Sequence, residues 1–94
     1  MSTPTFRVSI VTQERVFFDA EVTSLQAPGG LGYLGVLANH APLLTTLTRG
    51  TLTLTLADKT IRRFQVEGGF LEVARSDDGG QVTVLPDAIS ETTS

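Results

Sequence analysis

The chain has no cysteine and no tryptophan, and it has one histidine, one tyrosine and one methionine among its 94 residues. Without cysteine there can be no disulfide, no thiolate metal site and no cysteine nucleophile. The single histidine, His40, would need a positioned partner for any imidazole chemistry, and no motif links it to a nucleophile or an orienting carboxylate. Long apolar runs are missing too. Nothing approaches the ~20 residues a membrane-spanning helix requires, and the N-terminus, Met-Ser-Thr-Pro-Thr-Phe-Arg-Val, lacks the apolar centre of a secretory signal. Direct membrane insertion is therefore not expected, and any association with a membrane must run through another protein. Basic runs are also absent. Seven basic and ten acidic residues leave a net charge of −3, and Arg62-Arg63 is the one adjacent basic pair. Nucleic-acid binding, which needs a basic patch or stripe to neutralise phosphates, is not expected.

What the chain does contain is a period of two. Phe6, Val8 and Ile10 alternate with Arg7, Ser9 and Val11, and Leu52, Leu54 and Leu56 alternate with Thr51, Thr53 and Thr55. Both read as strands with one buried face. Phe64 and Val66 share a phase, as do Val82 and Val84, while Phe70-Leu71-Glu72-Val73-Ala74 is more continuously apolar, as in the middle of a sandwich. Turn signals divide these runs at Pro28-Gly29-Gly30, Arg49-Gly50, Ala57-Asp58-Lys59, Gly68-Gly69 and Ser76-Asp77-Asp78-Gly79-Gly80. No segment sustains a helical period over three turns. The expectation is one all-β domain, a β-sandwich of about ten short strands over residues 1–89, followed by a polar, frayed tail over residues 90–94.

Candidate chemistry is sparse. Gly30-Leu31-Gly32-Tyr33-Leu34-Gly35 matches the G-x-G-x-x-G pattern, which binds a dinucleotide only when it opens a helix. Here Pro42 soon interrupts any helix, so the glycines serve turns and close strand packing. Asp19 and Glu21 share a strand face, and Asp77-Asp78-Gly79-Gly80 lacks the spaced oxygen ligands of a calcium loop. Both pairs read as solvated carboxylates. No metal and no cofactor are expected, and the chain is expected to bind proteins and not to catalyse. A sugar- or peptide-binding module is the alternative, but it would need an exposed aromatic cluster, and several of the five phenylalanines already belong to buried strand phases.

Three ordered blocks carry a family resemblance. They are Val11-Thr12-Gln13-Glu14-Arg15-Val16-Phe17-Phe18-Asp19; Gly35-Val36-Leu37-Ala38-Asn39-His40-Ala41-Pro42-Leu43-Leu44-Thr45; and Gly68-Gly69-Phe70-Leu71-Glu72-Val73 with Val82-Thr83-Val84-Leu85. Together they resemble the epsilon subunit of rotary F-type ATP synthase, called delta in mitochondria, over roughly residues 5–89. The resemblance implies a β-sandwich in the central rotor, touching the gamma subunit and the ring of c subunits and turning with both. It implies a gamma contact at His40, Ala41, Pro42, Leu43, Leu44 and Thr45, with Leu85 and Ala88 as further neighbours, and a c-ring contact at Gly32, Tyr33 and Leu34. It implies a peripheral place on the cytoplasmic face of a bacterial plasma membrane, or on the stromal face of a thylakoid. Gln13 and Ala38 stand where the family commonly has proline, Pro86 where alanine is common, and Tyr33 where an acid is common. The helical hairpin of many relatives, which restrains ATP hydrolysis, has no counterpart in this sequence, and no nucleotide is expected on the chain.

Overall fold

The structure is a computed structural model that describes residues 3–92. Seven strands follow one another: β1 (Phe6–Val11), β2 (Val16–Gly29), β3 (Gly32–Leu37), β4 (Leu43–Thr46), β5 (Gly50–Leu56), β6 (Ile61–Ala74) and β7 (Gln81–Thr92). No helix occurs among the described residues. The expectation of about ten short strands is corrected to seven continuous ones, three of them long. Their pairing explains the difference. β2 pairs with β1 along residues 16–22 and with β3 and β5 along residues 22–29. β6 pairs with β5 along residues 61–66 and with β4 along residues 70–73, and β7 follows it throughout. Each long strand therefore serves both layers of the sandwich. One layer runs β4–β6–β7–β1–β2, with β1 and β7 parallel, and the other runs β3–β2–β5–β6–β7.

The bends are encoded by glycine and by register shifts. Gly68-Gly69, expected as a turn, lies inside β6 where that strand crosses between layers; both residues have positive φ, 66° and 108°. Only glycine takes that conformation without steric cost. In β2 the crossing coincides with a register shift between Val22 and Ser24. The tail is a second correction: β7 continues to Thr92, with Ser90 opposite Gln65, Glu91 opposite Phe64 and Thr92 opposite Arg63. Thr93 and Ser94 lie outside the described residues.

Between the layers sits one core, to which the described residues contribute sixteen buried hydrophobic side chains and no buried polar one. The alternations legible in sequence all point inward: Phe6, Val8 and Ile10; Leu52 and Leu54; Phe64 and Val66; Val82 and Val84. Phe64 is its aromatic centre, with Phe17 edge-on at 6.1 Å between ring centroids and Phe18 tilted against it at 5.3 Å. The Arg62 guanidinium covers the open end, 4.8 Å from the Phe18 centroid, and binds Glu91 of β7 through two hydrogen bonds. Desolvated apolar packing of this kind, at roughly 25 cal/mol per Å² removed from water, is what opposes chain entropy in so small a domain.

Candidate functional site

Strand alternation places every second residue of β4, β6 and β7 on the outside. Leu44 and Thr46 of β4, Phe70 and Glu72 of β6, and Thr83 and Leu85 of β7 share one outer face. Register makes neighbours of them: Leu44 stands opposite Glu72, Thr46 opposite Phe70, and Phe70 opposite Leu85. Leu44 is 69% exposed, Phe70 51% and Leu85 44%. Three large apolar side chains thus form a diagonal band on a face that turns polar toward β1 and β2, where Arg7 and Asp19 are paired at 2.6 Å.

Beside the band lies an open groove. Its walls are the β1–β2 turn, residues 11–15, with Phe17, and the β6–β7 corner with Phe70, Leu85, Asp87, Ala88 and Ile89. Its lining is mixed, with Phe17, Phe70, Leu85 and Ile89 beside Thr12, Gln13, Glu14, Arg15 and Asp87. Exposed apolar side chains such as Leu44, Phe70 and Leu85, flanked by charged ones, are the pattern of a protein-contact surface.

The residues expected at the gamma contact separate into three groups. Leu44, Leu85 and Ala88 reach the band or its groove. Leu43 turns the other way and packs against the core, and Thr45 is half-buried on the same inward phase. His40 sits at the end of the sandwich in a recess lined by Asn39, Arg75, Ser76 and Asp77, with its Nδ1 2.7 Å from the Ala41 carbonyl oxygen. Ala41 and Pro42 are exposed and link that recess to β4. Phe70 was missed in the sequence because its run looks uniformly apolar. Its parity with Glu72, two residues away, was the available signal.

The second candidate surface is the β2–β3 hairpin. Gly29 pairs with Gly32, leaving Gly30 and Leu31 at the tip, and Gly32 takes φ 116° to close the turn. Tyr33 is 56% exposed, and its hydroxyl accepts a hydrogen bond from the Thr51 N–H at 2.9 Å. Leu34 points inward against the core, whereas Leu31, absent from the expected contact, is wholly exposed. Among the described residues no group of three or more histidine, cysteine, aspartate or glutamate side chains converges as a metal site would require.

Comparison with known proteins gives a consistent result. The ATP synthase delta/epsilon chain β-sandwich domain matches residues 5–92. An ATP synthase epsilon chain of Chlorobium limicola is 42% identical over 85 residues, which is 90% of this chain and 92% of the relative. One from Moorella thermoacetica is 45% identical over 80 residues, 85% of this chain but 57% of the longer relative. In fold, a chain from the cryo-EM structure of the Euglena gracilis mitochondrial ATP synthase, comprising OSCP, F1 and c-ring, superposes with a TM-score of 0.83 at 20% identity. It covers 97% of this chain and 56% of that one. A chain from the central stalk and c-ring of the Tetrahymena thermophila mitochondrial ATP synthase covers 96% of this chain and 69% of that one, with a TM-score of 0.68 at 17% identity.

Proposed function

The chain belongs to the delta/epsilon-chain family of ATP synthase, and from that premise we propose that it couples the gamma subunit to the c-ring in the central stalk of a proton-translocating F-type ATP synthase. It is a non-catalytic subunit. The observation that supports the coupling role is that one stiff body presents two exposed apolar surfaces. The Leu44–Phe70–Leu85 band with its groove is one, and the β2–β3 hairpin is the other.

The gamma subunit covers the band. Sealing a leucine or phenylalanine away from water is worth about 1.5–3 kcal/mol each, and a stable interface buries on the order of 1,200–2,000 Å² in total. Leu44, Phe70 and Leu85 form its centre, and Glu14, Arg15 and Asp87 its polar rim. The hairpin faces the c-ring. Torque entering at one surface leaves at the other without the body yielding, because β2, β6 and β7 belong to both layers and a close-packed interior resists small displacements. As part of the synthase the protein is membrane-associated. The bacterial relatives support a position on the cytoplasmic face of a bacterial plasma membrane.

Co-purification with the gamma subunit of the same organism tests this reading, comparing the wild type with Leu44→Asp and Phe70→Asp. Wild-type capture, lost in variants that melt like the wild type, supports it. A wild type that never captures gamma removes the functional content and leaves the fold.

A further inference from the structure

Asp78-Gly79, in the loop between β6 and β7, is the one Asp-Gly step in the chain, and no Asn-Gly step occurs. A backbone nitrogen whose residue carries no Cβ can approach the preceding carboxyl unhindered, so such a step is able to close into a cyclic imide. Closure needs an accessible carboxyl and an N–H that is not committed to an acceptor. Both are present here. Asp78 is exposed, and among the described residues its carboxylate meets no cation and accepts no hydrogen bond. The N–H groups on either side, those of Asp78 and Gly80, donate to the Ser76 Oγ at 3.4 and 3.1 Å, whereas the Gly79 N–H between them has no acceptor among the described residues. The other aspartates differ. Asp19 is paired with Arg7, Asp58 accepts from the Thr60 N–H, and Asp19, Asp58, Asp77 and Asp87 are each followed by a residue with a side chain.

We infer that Asp78-Gly79 is a site of spontaneous covalent modification, where aspartyl isomerises to isoaspartyl, and that the change loosens the end of the sandwich on which this loop sits. The Gly79 nitrogen attacks the Asp78 Cγ. The N–Cγ bond forms, the Cγ–O bond breaks, and one water leaves with the carboxyl oxygen and the amide proton. Water then reopens the ring. Breaking the N–Cγ bond restores aspartate, and breaking the bond from nitrogen to the Asp78 main-chain carbonyl carbon gives isoaspartate, with the main chain running through Cβ and Cγ. One water lost and one gained leave the mass unchanged, and no oxidant or cofactor takes part.

The added methylene enters where the chain has no slack. The Gly79 carbonyl accepts the Asn39 N–H at 2.6 Å, the Gly80 carbonyl accepts the Arg7 N–H at 3.0 Å, and a Cβ on Gly79 would run into the Thr5 carbonyl oxygen. Gly79-Gly80 thus clasps the β3–β4 crossover to the start of β1, beside the recess of His40. A longer main chain just before Gly79 moves its carbonyl away from Asn39.

The test ages the chain in warm neutral buffer made with water enriched in the heavy oxygen isotope. A protein isoaspartyl methyltransferase then marks isoaspartyl groups, and peptide mapping locates both labels. Both are expected at residue 78, at a rate within about tenfold of that in the free peptide 75–81, because opening an exposed loop costs little free energy. Asp78→Glu, which would have to close a larger ring, should lose both labels. Asp78→Asn, whose leaving group is ammonia, should form isoaspartate faster than the wild type. The isoaspartyl fraction should melt about 4–8 °C lower, equivalent to the loss of about one net hydrogen bond.

Label at other aspartates and not at residue 78 overturns the assignment. A folded chain that reacts more slowly than the peptide by more than that margin also overturns it, since the fold then shields the step. If isoaspartate forms at residue 78 and the modified chain melts like the unmodified one, the loosening is overturned and the site stands.

Discussion

Gly69 of β6 faces Pro86 of β7 at the point where the ribbon of these two strands crosses from one layer to the other. A Cβ on Gly69 would run into the Leu85 carbonyl oxygen and lie 2.7 Å from Pro86 Cα, and the residue sits at φ 108°. The crossing exists because one position has no side chain. It also aims Phe70, the next residue, at Leu85 on the outer band.

Gly69→Ala is therefore expected to destabilise the domain by about 2–4 kcal/mol, combining a forbidden backbone region with a backbone clash. At about 4–8 °C per kcal/mol for a domain of this size, thermal denaturation should show a fall of roughly 8–32 °C. Gly35→Ala is the control. A Cβ there meets nothing within 4 Å and φ is not positive, so its melting temperature should hold or rise slightly.

Leu43 and Leu44 are adjacent in sequence and opposite in role. Leu43→Asp should unfold or strongly destabilise the domain, since it drives a carboxylate against the core. Leu44→Asp should leave the melting temperature within a few degrees and weaken gamma capture by about 100-fold or more, by burying an unpaired charge in the contact. Calorimetric titration alongside a melt separates the two.

Phe64→Ala removes the ring on which Phe17 and Phe18 both pack and should cost about 3–5 kcal/mol. Phe64→Leu, which keeps most of the volume, should cost clearly less. Urea denaturation with an unchanged m-value checks both.

Glu91 ties the end of β7 to Arg62, and the hydrogen bonds from that guanidinium hold its carboxyl below the ordinary 4.5. A depressed folded value means that the contribution is fully present above the unfolded pKa and is lost as pH falls through the folded one. Glu91→Gln should thus lower the melting temperature by a constant amount from neutral pH down to about pH 5. Below the ordinary carboxyl value the gap to wild type should close. Asp58, whose carboxyl is lowered chiefly by the Thr60 N–H, retains its own acid dependence in that variant.

The strands, their inward faces and the family blocks were legible in the sequence. Phe6, Val8, Ile10, Leu52, Leu54, Phe64, Val66, Val82 and Val84 are buried as their alternation requires. What was not legible has a common cause. Gly68-Gly69 signals a reversal locally, yet β7 stays paired with β6 on either side of it, so the chain bends and continues. Ser90-Glu91-Thr92 has no apolar face of its own and is held by the edge of β6 and by Arg62. Leu31, flanked by glycines, carries no period that would mark it as exposed.

Within each regular stretch the sequence alone settled side-chain direction, because the pleat sends successive residues to opposite faces. Where β2 and β6 cross between layers the buried phase resets, from Val22 to Leu25 and from Val66 to Leu71, and only the tertiary structure decides that. Adjacency across strands was settled only by the tertiary structure. Leu44, Phe70 and Leu85 become one surface through the registers of β4 with β6 and of β6 with β7. Tyr33 meets the start of β5 in the same way, its hydroxyl accepting from the Thr51 N–H. Those registers are fixed by where long strands bend and what they meet, and residues far apart in the chain decide that together.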